Sequence, residues 1–398
     1  MTPVSPHPPI RPSARGAAVD TFHAMAVATR AGQLQAEGAD VIRLSLGEPD
    51  SGAPPRVLDA LRQVADGRPL PYTDAMGLPA LRAAIAQRYA DVHGVHVDPR
   101  RICVTSGASA ALLLLSAALV DPGDHVMLGD PSYPCNRQFL AAFGAQVDLV
   151  ATSAETRYQL DLNLVQDHWR PDTRGILIAT PSNPTGTRVP EEELRQICGH
   201  AAGNGAWRVI DEIYLALSDD VDRRLPRTAL ALDPGAVVLS SFSKYFGMTG
   251  WRLGWTVVPE ELVDVIERLA QNLFICAPTP AQMAALECFH PESLQWCEQR
   301  RALFAQRRRV AAEELERIGV PVPVRPDGAF YVYMDVSGTG MDADEFCRRA
   351  LEEHHVALTP GRDFGPLTAR THVRLSCAAS TQDIMRGVAR VGEMLSRP

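Results

Sequence analysis

Short apolar runs that alternate with helical patterns constrain the fold of this chain more than any other feature. They recur over the first three quarters of the chain, and turn signals such as residues 121–124 (DPGD) separate them. Strands and helices that alternate in this way build a mainly parallel sheet with helices on its faces. We predict strands at 102–105, 125–128, 146–150, 175–179, 207–211 and 236–240, and helices at 77–91, 108–119, 161–169, 190–203 and 260–270.

The pattern changes after about residue 285. We predict a long Arg-rich helix at 290–318, a strand at 329–335, a helix at 342–354, a second strand at 371–376 and a last helix beyond it. This order is typical of a smaller α+β domain, and 398 residues exceed the ~250–300 at which one core stops growing. We therefore predict a flexible Pro-rich tail at 1–18, a large domain at 50–285, and a small domain made of 19–49 together with 286–398.

The composition excludes several functional classes. A net charge of -8 gives no electrostatic reason to expect nucleic acid or an anionic membrane as a partner. The eight cysteines form neither a CxxC pair nor a Cys/His cluster, so we predict no disulfide framework and no metal site. The longest apolar stretch, residues 110–120, is too short to span a bilayer, and the Pro-rich start lacks the apolar core of a signal peptide. We expect a cytoplasmic protein that acts on small molecules.

Lys244 is the only lysine among 39 Lys and Arg residues. Arg stays protonated in proteins, whereas a buried amine can lose its proton and attack a carbonyl carbon. Lys244 follows the apolar run AVVLS, which presents it at the carboxyl end of a strand, where open α/β sheets bind ligands. Ser241, Ser243 and Arg252 add the hydroxyl donors and the bidentate cation that a phosphate ester requires. The alternative interpretation is that these residues form only a polar loop with a surface Arg, and that the single lysine survived by chance.

With S-x-S-K followed by G-W-R-x-G, the chain resembles the fold-type I aminotransferases, over roughly residues 20–392. The resemblance implies a mainly parallel seven-stranded sheet and pyridoxal 5′-phosphate carried by Lys244 as a Schiff base. Asp211 ends another apolar strand and would keep the ring nitrogen of this cofactor protonated. Tyr214 and Asn183 match the residues that hydrogen-bond its phenolic oxygen. From the residues alone, a helix cap at Asp211 and a simple turn at Asn183 remain alternatives.

Further matches extend the implied cofactor site. Ser106, Gly107 and Ala108 follow a predicted strand and open a helix, so their backbone N–H groups would cradle the phosphate. Tyr133 matches the aromatic residue that stacks on the cofactor ring, although an aromatic residue in such a loop more often only packs. Tyr72 matches a tyrosine that reaches the phosphate of the neighbouring subunit, which implies a homodimer with shared sites. An ordinary buried tyrosine is the alternative there.

The resemblance also implies how substrate is bound. Arg374 matches the arginine that holds the substrate α-carboxylate through paired N–H bonds, and the backbone N–H of Gly47 would reach the same carboxylate. Asn183 is the third residue expected to bind substrate. Dicarboxylate-specific relatives often have a lysine just after the phosphate cradle, where this chain has Ser109 and no basic residue. This departure puts strict aspartate specificity in doubt. We expect a neutral or hydrophobic amino acid, paired with 2-oxoglutarate or pyruvate.

The implied activity is a ping-pong transamination between an L-amino acid and a 2-oxo acid. Its catalytic residues would be Lys244, Asp211 and Tyr214. A lyase that performs β-elimination is the alternative on the same scaffold, because one cofactor supports several reactions. A non-enzymatic alternative is the ligand-sensing domain of a transcription regulator, but such proteins carry an additional basic DNA-binding domain.

Overall fold

The fold is described by a computed structural model that covers residues 10–17 and 19–396. Its strands are β1 Ile42–Arg43, β2 Ile102–Thr105, β3 His125–Asp130, β4 Gln146–Ala151, β5 Thr173–Ala179, β6 Trp207–Asp211, β7 Val237–Ser241, β8 Gly254–Val257, β9 Tyr331–Asp335, β10 Val356–Ala357, β11 Thr359–Pro360 and β12 His372–Ser376. Its helices are α1 Ala14–Ala17, α2 His23–Ala36, α3 Pro55–Val64, α4 Pro79–His93, α5 Gly107–Leu119, α6 Pro134–Ala142, α7 Leu162–His168, α8 Glu191–Gly203, α9 Val263–Leu273, α10 Thr279–Ala285, α11 Pro291–Arg317, α12 Ala343–Glu352 and α13 Thr381–Ser396.

A seven-stranded sheet lies at the centre, in the order β2-β8-β7-β6-β5-β3-β4. The pairs from β4 across to β7 are all parallel, whereas β8 runs antiparallel to both β2 and β7. The predicted mainly parallel seven-stranded sheet is therefore confirmed. Each of the six strands predicted for this sheet corresponds to one of β2 to β7, and β8 is the strand of this sheet for which no position was predicted.

The central strands are apolar throughout because the sheet is covered on both faces. In β5 and β6, the neighbours Ile176 and Leu177, and likewise Val209 and Ile210, belong to different hydrophobic clusters. Since successive side chains of a strand point to opposite faces, each strand contributes to two cores. This double burial explains why the strands are continuous apolar runs and why their positions could be predicted.

The helices begin and end at local signals. Asp342 precedes α12 and its side chain accepts the N–H of Glu345, while α4 ends at Gly94 with a φ of 67°. The predicted helices are confirmed, with ends that differ by a few residues, but α1, α2, α3, α6 and α10 were not predicted. No helix of the described part is both long and apolar enough to cross a membrane.

The remaining strands form two smaller sheets. The antiparallel sheet has the order β11-β12-β9, and β1 pairs in parallel with β10. The hydrophobic cluster that contains Ile210 of the large sheet also contains Val332 and Leu375 of the antiparallel sheet. The predicted domain boundaries stay a prediction. Of the predicted tail, residues 1–9 and 18 lie outside the described residues, and α1 falls within its described part.

Candidate active site

A cavity opens at the carboxyl ends of β6 and β7 and at the start of α5. Asp211 ends β6, Ser241 ends β7, and the loop that follows β7 carries Lys244. Parallel strands bring their carboxyl ends to one edge of the sheet, which is why residues far apart in sequence meet here. The predicted site residues that line this cavity are Gly47, Ala108, Tyr133, Asn183, Asp211, Tyr214, Ser241, Ser243, Lys244, Arg252 and Arg374.

Lys244 has the environment of a nucleophilic amine. Its Nζ donates a hydrogen bond to the carbonyl oxygen of Gly47 at 2.8 Å and lies 6.0 Å from the centre of the Tyr214 ring. Burial lowers the pKa of Lys244 to about 8, although the nearby Glu48 carboxylate raises it. A substantial fraction of the amine is therefore neutral just above neutral pH, as attack on a carbonyl carbon requires.

Asp211 is a buried carboxyl with few partners. It is 4% exposed, and in the described part of the chain its side-chain carboxylate accepts one hydrogen bond, from the backbone N–H of Ile213 at 3.1 Å. Burial raises the pKa of Asp211 to about 7, against the lowering effects of that N–H and of Lys244. A carboxylate held this way favours a cationic N–H group placed against it in the cavity.

Arg374 of β12 is buried and held from several sides. Its Nη1 donates to Asn183 Oδ1 at 2.7 Å, and its Nη2 donates to Thr359 Oγ1 at 3.2 Å and to the carbonyl oxygen of Ser45. The buried Nε has no hydrogen-bond partner among the described residues. Because Asn183 accepts from Arg374 through its oxygen, its amide nitrogen remains available as a donor.

A small cradle lies where β2 leads into α5. Ser106 precedes the helix, and Gly107 opens it with a φ of 80°. A Cβ at Gly107 would lie 2.5 Å from Arg252 Nη2, so the guanidinium packs directly against the start of the helix. Ser106 and Gly107 do not line the cavity themselves, but they border Ala108, which does. The N-terminus of α5, together with Arg252, suits an anion.

Tyr133 and Tyr72 differ in position. Tyr133 lines the cavity and makes an edge-to-face contact with Phe22, with ring centroids 6.0 Å apart. Tyr72 is 77% exposed and does not line the cavity. A role for Tyr72 in this subunit's own site is therefore not favoured, and the alternative of an ordinary buried tyrosine is wrong.

Sequence reasoning missed several residues that line the cavity. Tyr331, the first residue of β9, places its hydroxyl 2.8 Å from the Tyr214 hydroxyl and its ring 4.5 Å from the Arg374 guanidinium. The missed apolar lining residues are Phe22, Ala24, Met25, Leu46, Leu112, Ala179 and Ile213. The apolar run AFYVYM contains two tyrosine hydroxyls, those of Tyr331 and Tyr333, and the sequence does not show which of them faces the site.

The start of α2 is fixed over the cavity by a distant carboxylate. The N–H groups of His23 and Ala24 donate to the two oxygens of Asp363, at 2.9 and 2.7 Å. Asp363 thereby satisfies N–H groups of the first turn that have no partner within the helix. As a result, Phe22 and Met25 stand at the edge of the cavity.

Comparison with known proteins agrees with this geometry. The family model described as "Aminotransferase class I and II" matches residues 39–391. Valine–pyruvate aminotransferase of Mycobacterium tuberculosis is 38% identical over 381 residues, which cover 95% of this chain and 97% of that protein. A crystal structure of an aminotransferase from the same organism has a TM-score of 0.94 and 36% identity, and covers 98% of this chain and 100% of its own. Aspartate aminotransferase of Thermus thermophilus with maleate has a TM-score of 0.90 and 31% identity, with 96% and 99% covered. This chain belongs to the class I and II aminotransferases, and it transfers amino groups between amino acids and oxo acids.

Proposed function

We propose that this aminotransferase uses pyridoxal 5′-phosphate bound to Lys244, with the ring nitrogen against Asp211. The observation that carries the proposal is the pairing of these two groups in one cavity. Lys244 has a lowered pKa and Asp211 is a buried carboxyl without a basic hydrogen-bond partner in the described residues. Both features fit a cofactor that offers an aldehyde at one end and a protonated ring nitrogen at the other.

The remaining polar groups also fit this cofactor. The start of α5 at Ser106, Gly107 and Ala108, together with Arg252, would bind the phosphate; Ser241 and Ser243 line the same region. The Tyr214 hydroxyl and the amide nitrogen of Asn183 would donate to the phenolic oxygen, and the Tyr133 ring would stack on the cofactor. These assignments are supported by residues that line one cavity.

The residues of the chain then divide the reaction between them. When bound, pyridoxal phosphate supplies an aldehyde that condenses with amines and a protonated ring that draws electrons from the substrate α-carbon. Asp211 would hold a proton on the ring nitrogen. The neutral Lys244 amine would act as the base that removes the proton from the substrate α-carbon. Arg374 and the backbone N–H of Gly47 hold the α-carboxylate, which fixes the direction of that C–H bond. A 2-oxo acid reverses the sequence, which makes the mechanism ping-pong.

We further propose that the amino donor has a neutral or apolar side chain, with pyruvate or 2-oxoglutarate as acceptor. Phe22, Met25, Leu46 and Leu112 give the cavity an apolar lining, and Glu48 adds a negative charge that disfavours a second carboxylate. The relative that is named for valine and pyruvate supports the same class.

A matched test is Ser109→Arg, which adds a cation at the cavity wall. It should raise kcat/KM for aspartate relative to that for alanine.

We also propose a homodimer with shared sites. Tyr72 is 77% exposed, and the exposed apolar residues Leu70 and Ile275 occupy neighbouring loops. The loop of Leu70 and Tyr72 is joined to the start of α10, just after the loop of Ile275, because Thr279 Oγ1 donates to the carbonyl oxygen of Pro71 at 3.0 Å. An apolar surface of this kind suits a second copy of the chain, in whose phosphate site Tyr72 would lie. Sedimentation of the purified protein tests the proposal, and a monomer at micromolar concentration would contradict it.

The decisive experiment is an absorbance spectrum of the purified protein with pyridoxal phosphate. Lys244→Ala and Lys244→Arg serve as controls, because the arginine keeps the charge but cannot condense with an aldehyde. We expect a visible band in the wild type that neither variant forms. The band should disappear when an apolar amino donor is added and return with a 2-oxo acid. A band of equal strength in all three proteins would refute the role of Lys244, and release of ammonia without loss of the band would favour β-elimination.

A further inference from the structure

Tyr331 is a fully buried tyrosine at the meeting point of three groups of the site. It is 1% exposed, and its hydroxyl lies 2.8 Å from the Tyr214 hydroxyl. The same hydroxyl approaches Gly47 so closely that a Cβ there would lie 1.9 Å from it. The mechanism outlined above gives Tyr331 no role, although it contacts residues from both the cofactor and the substrate sides.

The ring of Tyr331 supports Arg374. The guanidinium carbon lies 4.5 Å from the centre of the Tyr331 ring and 4.9 Å from that of Phe364. A guanidinium held against two aromatic rings is restricted in orientation and is stabilised by their negative faces. Displacement of Tyr331 would therefore also displace the group that holds the substrate carboxylate.

The direction of the hydrogen bond between the two tyrosines follows from their surroundings. If Tyr214 donates its proton to the phenolic oxygen of the cofactor, its oxygen is left to accept, and Tyr331 must be the donor. Burial raises the pKa of both hydroxyls, so both keep their protons at neutral pH. Hydrogen bonds arranged in a chain polarise one another, which makes Tyr214 a stronger donor.

We propose that Tyr331 is a positioning residue that links the carboxylate-binding Arg374 to the hydrogen bond between Tyr214 and the cofactor. The inference rests on the proposed cofactor site and extends it to a cavity-lining residue that has no role in the proposed mechanism. Its hydroxyl strengthens the donor that faces the phenolic oxygen, and its ring holds the guanidinium that binds the substrate. The two parts of the side chain therefore have separable functions.

The test measures how the visible band of the holoenzyme changes with pH. The midpoint of this pH titration reports protonation of the nitrogen that joins Lys244 to the cofactor. A weaker donor at the phenolic oxygen leaves more negative charge there, and that charge holds the nitrogen proton more tightly. Tyr331→Phe should therefore raise the midpoint by roughly half a pH unit. Because the ring remains against Arg374, KM for the amino donor should change less than twofold, whereas Tyr331→Leu should raise it about tenfold.

A matched control exists on the same strand. Tyr333 is also 1% exposed, and its hydroxyl is 2.7 Å from Thr368 Oγ1 rather than near Tyr214. Tyr333→Phe removes a buried hydroxyl of the same kind and should leave the midpoint unchanged. In a Tyr214→Phe background, Tyr331→Phe should move the midpoint no further, because the chain of hydrogen bonds is already broken.

The outcomes separate this inference from the proposed function. A wild type without a Lys244-dependent band overturns the proposed cofactor and this inference with it. If the wild type forms the band but Tyr331→Phe has the same midpoint, the inference alone is overturned. The inference is also overturned if Tyr333→Phe shifts the midpoint as much as Tyr331→Phe does. An additional shift in the Tyr214→Phe background also overturns it, because the hydroxyl would then act by another route.

Discussion

Replacement of Gly47 by alanine should impair both folding and substrate binding, because the site has no room for one more methyl group. A Cβ at Gly47 would lie 1.9 Å from the Tyr331 hydroxyl oxygen, whereas ordinary contacts of such an atom are 3.4–4 Å. The hydroxyl would have to withdraw by well over one ångström. It has no space to do so, since Tyr331 is 1% exposed and packs against Arg374.

The magnitude follows from the kind of strain involved. The φ of Gly47 lies outside the left-handed region, so a side chain adds steric overlap without backbone strain. Overpacking of a well-packed region costs about 1–3 kcal/mol. A displacement of roughly 1 Å at a substrate-binding group can lower the rate by about 100-fold. We therefore expect a lower midpoint of thermal unfolding and a kcat/KM for the amino donor that is lower by about two orders of magnitude.

Two control variants make the reasoning refutable. Gly52→Ala places a Cβ where no atom lies within 4 Å and should retain wild-type stability and kcat/KM. Tyr331→Phe removes the overlapping oxygen and leaves the ring carbon Cζ at 3.0 Å. In that background, Gly47→Ala should therefore lower the unfolding midpoint and kcat/KM by less than it does in the wild type. Equal losses in the two backgrounds would refute the steric explanation. A Gly47→Ala protein with normal unfolding and kinetics would refute it directly.

Three further predictions concern charged groups of the site. Because burial raises the pKa of Asp211 from 3.8 to about 7, stability is lost as pH rises through that window. Asp211→Asn should therefore raise the unfolding temperature of the cofactor-free protein more at pH 8 than at pH 4, and equal gains would contradict this. Burial lowers the pKa of Lys244 to about 8, so the rate at which the visible band forms after pyridoxal phosphate is added should level off above about pH 8. A rate that keeps rising towards pH 10.5, the ordinary pKa of lysine, would contradict this. Arg374→Lys should lower kcat/KM about 10- to 100-fold, mainly through KM, because lysine lacks the paired donors. Steady-state kinetics should show no such loss for Arg370→Lys, whose side chain is 84% exposed.

The strands could be predicted where burial on both faces leaves a continuous apolar run. The runs that became β5, β6 and β7 are of this kind, and their positions were correct to within two residues. The strand β8 was missed because it begins at Gly254, directly after the loop that carries Arg252, and is only four residues long. The helix α2 was missed for a related reason, since only Ala24, Ala31 and Leu34 of its residues are buried.

The site was predictable to the extent that it lies at strand ends. Lys244 and Asp211 each follow an apolar run, and their chemistry is unusual for such a position. Tyr331 had no comparable signal, because a tyrosine at the start of a buried strand is usually a core residue. Its importance comes from the hydroxyl of Tyr214, which lies 117 residues away in the chain.

The sequence by itself determined the parallel sheet, the strand ends that face the cavity, and the presence there of one lysine and one buried carboxyl. These properties depend on local periodicity and on residue chemistry, which can be recognised without coordinates. Only the tertiary structure decided which apolar residues line the cavity, and that Asp363 holds Ala24 across 339 residues of chain. Contacts between residues so distant in the chain leave no periodic pattern, because they arise only when separate elements pack together.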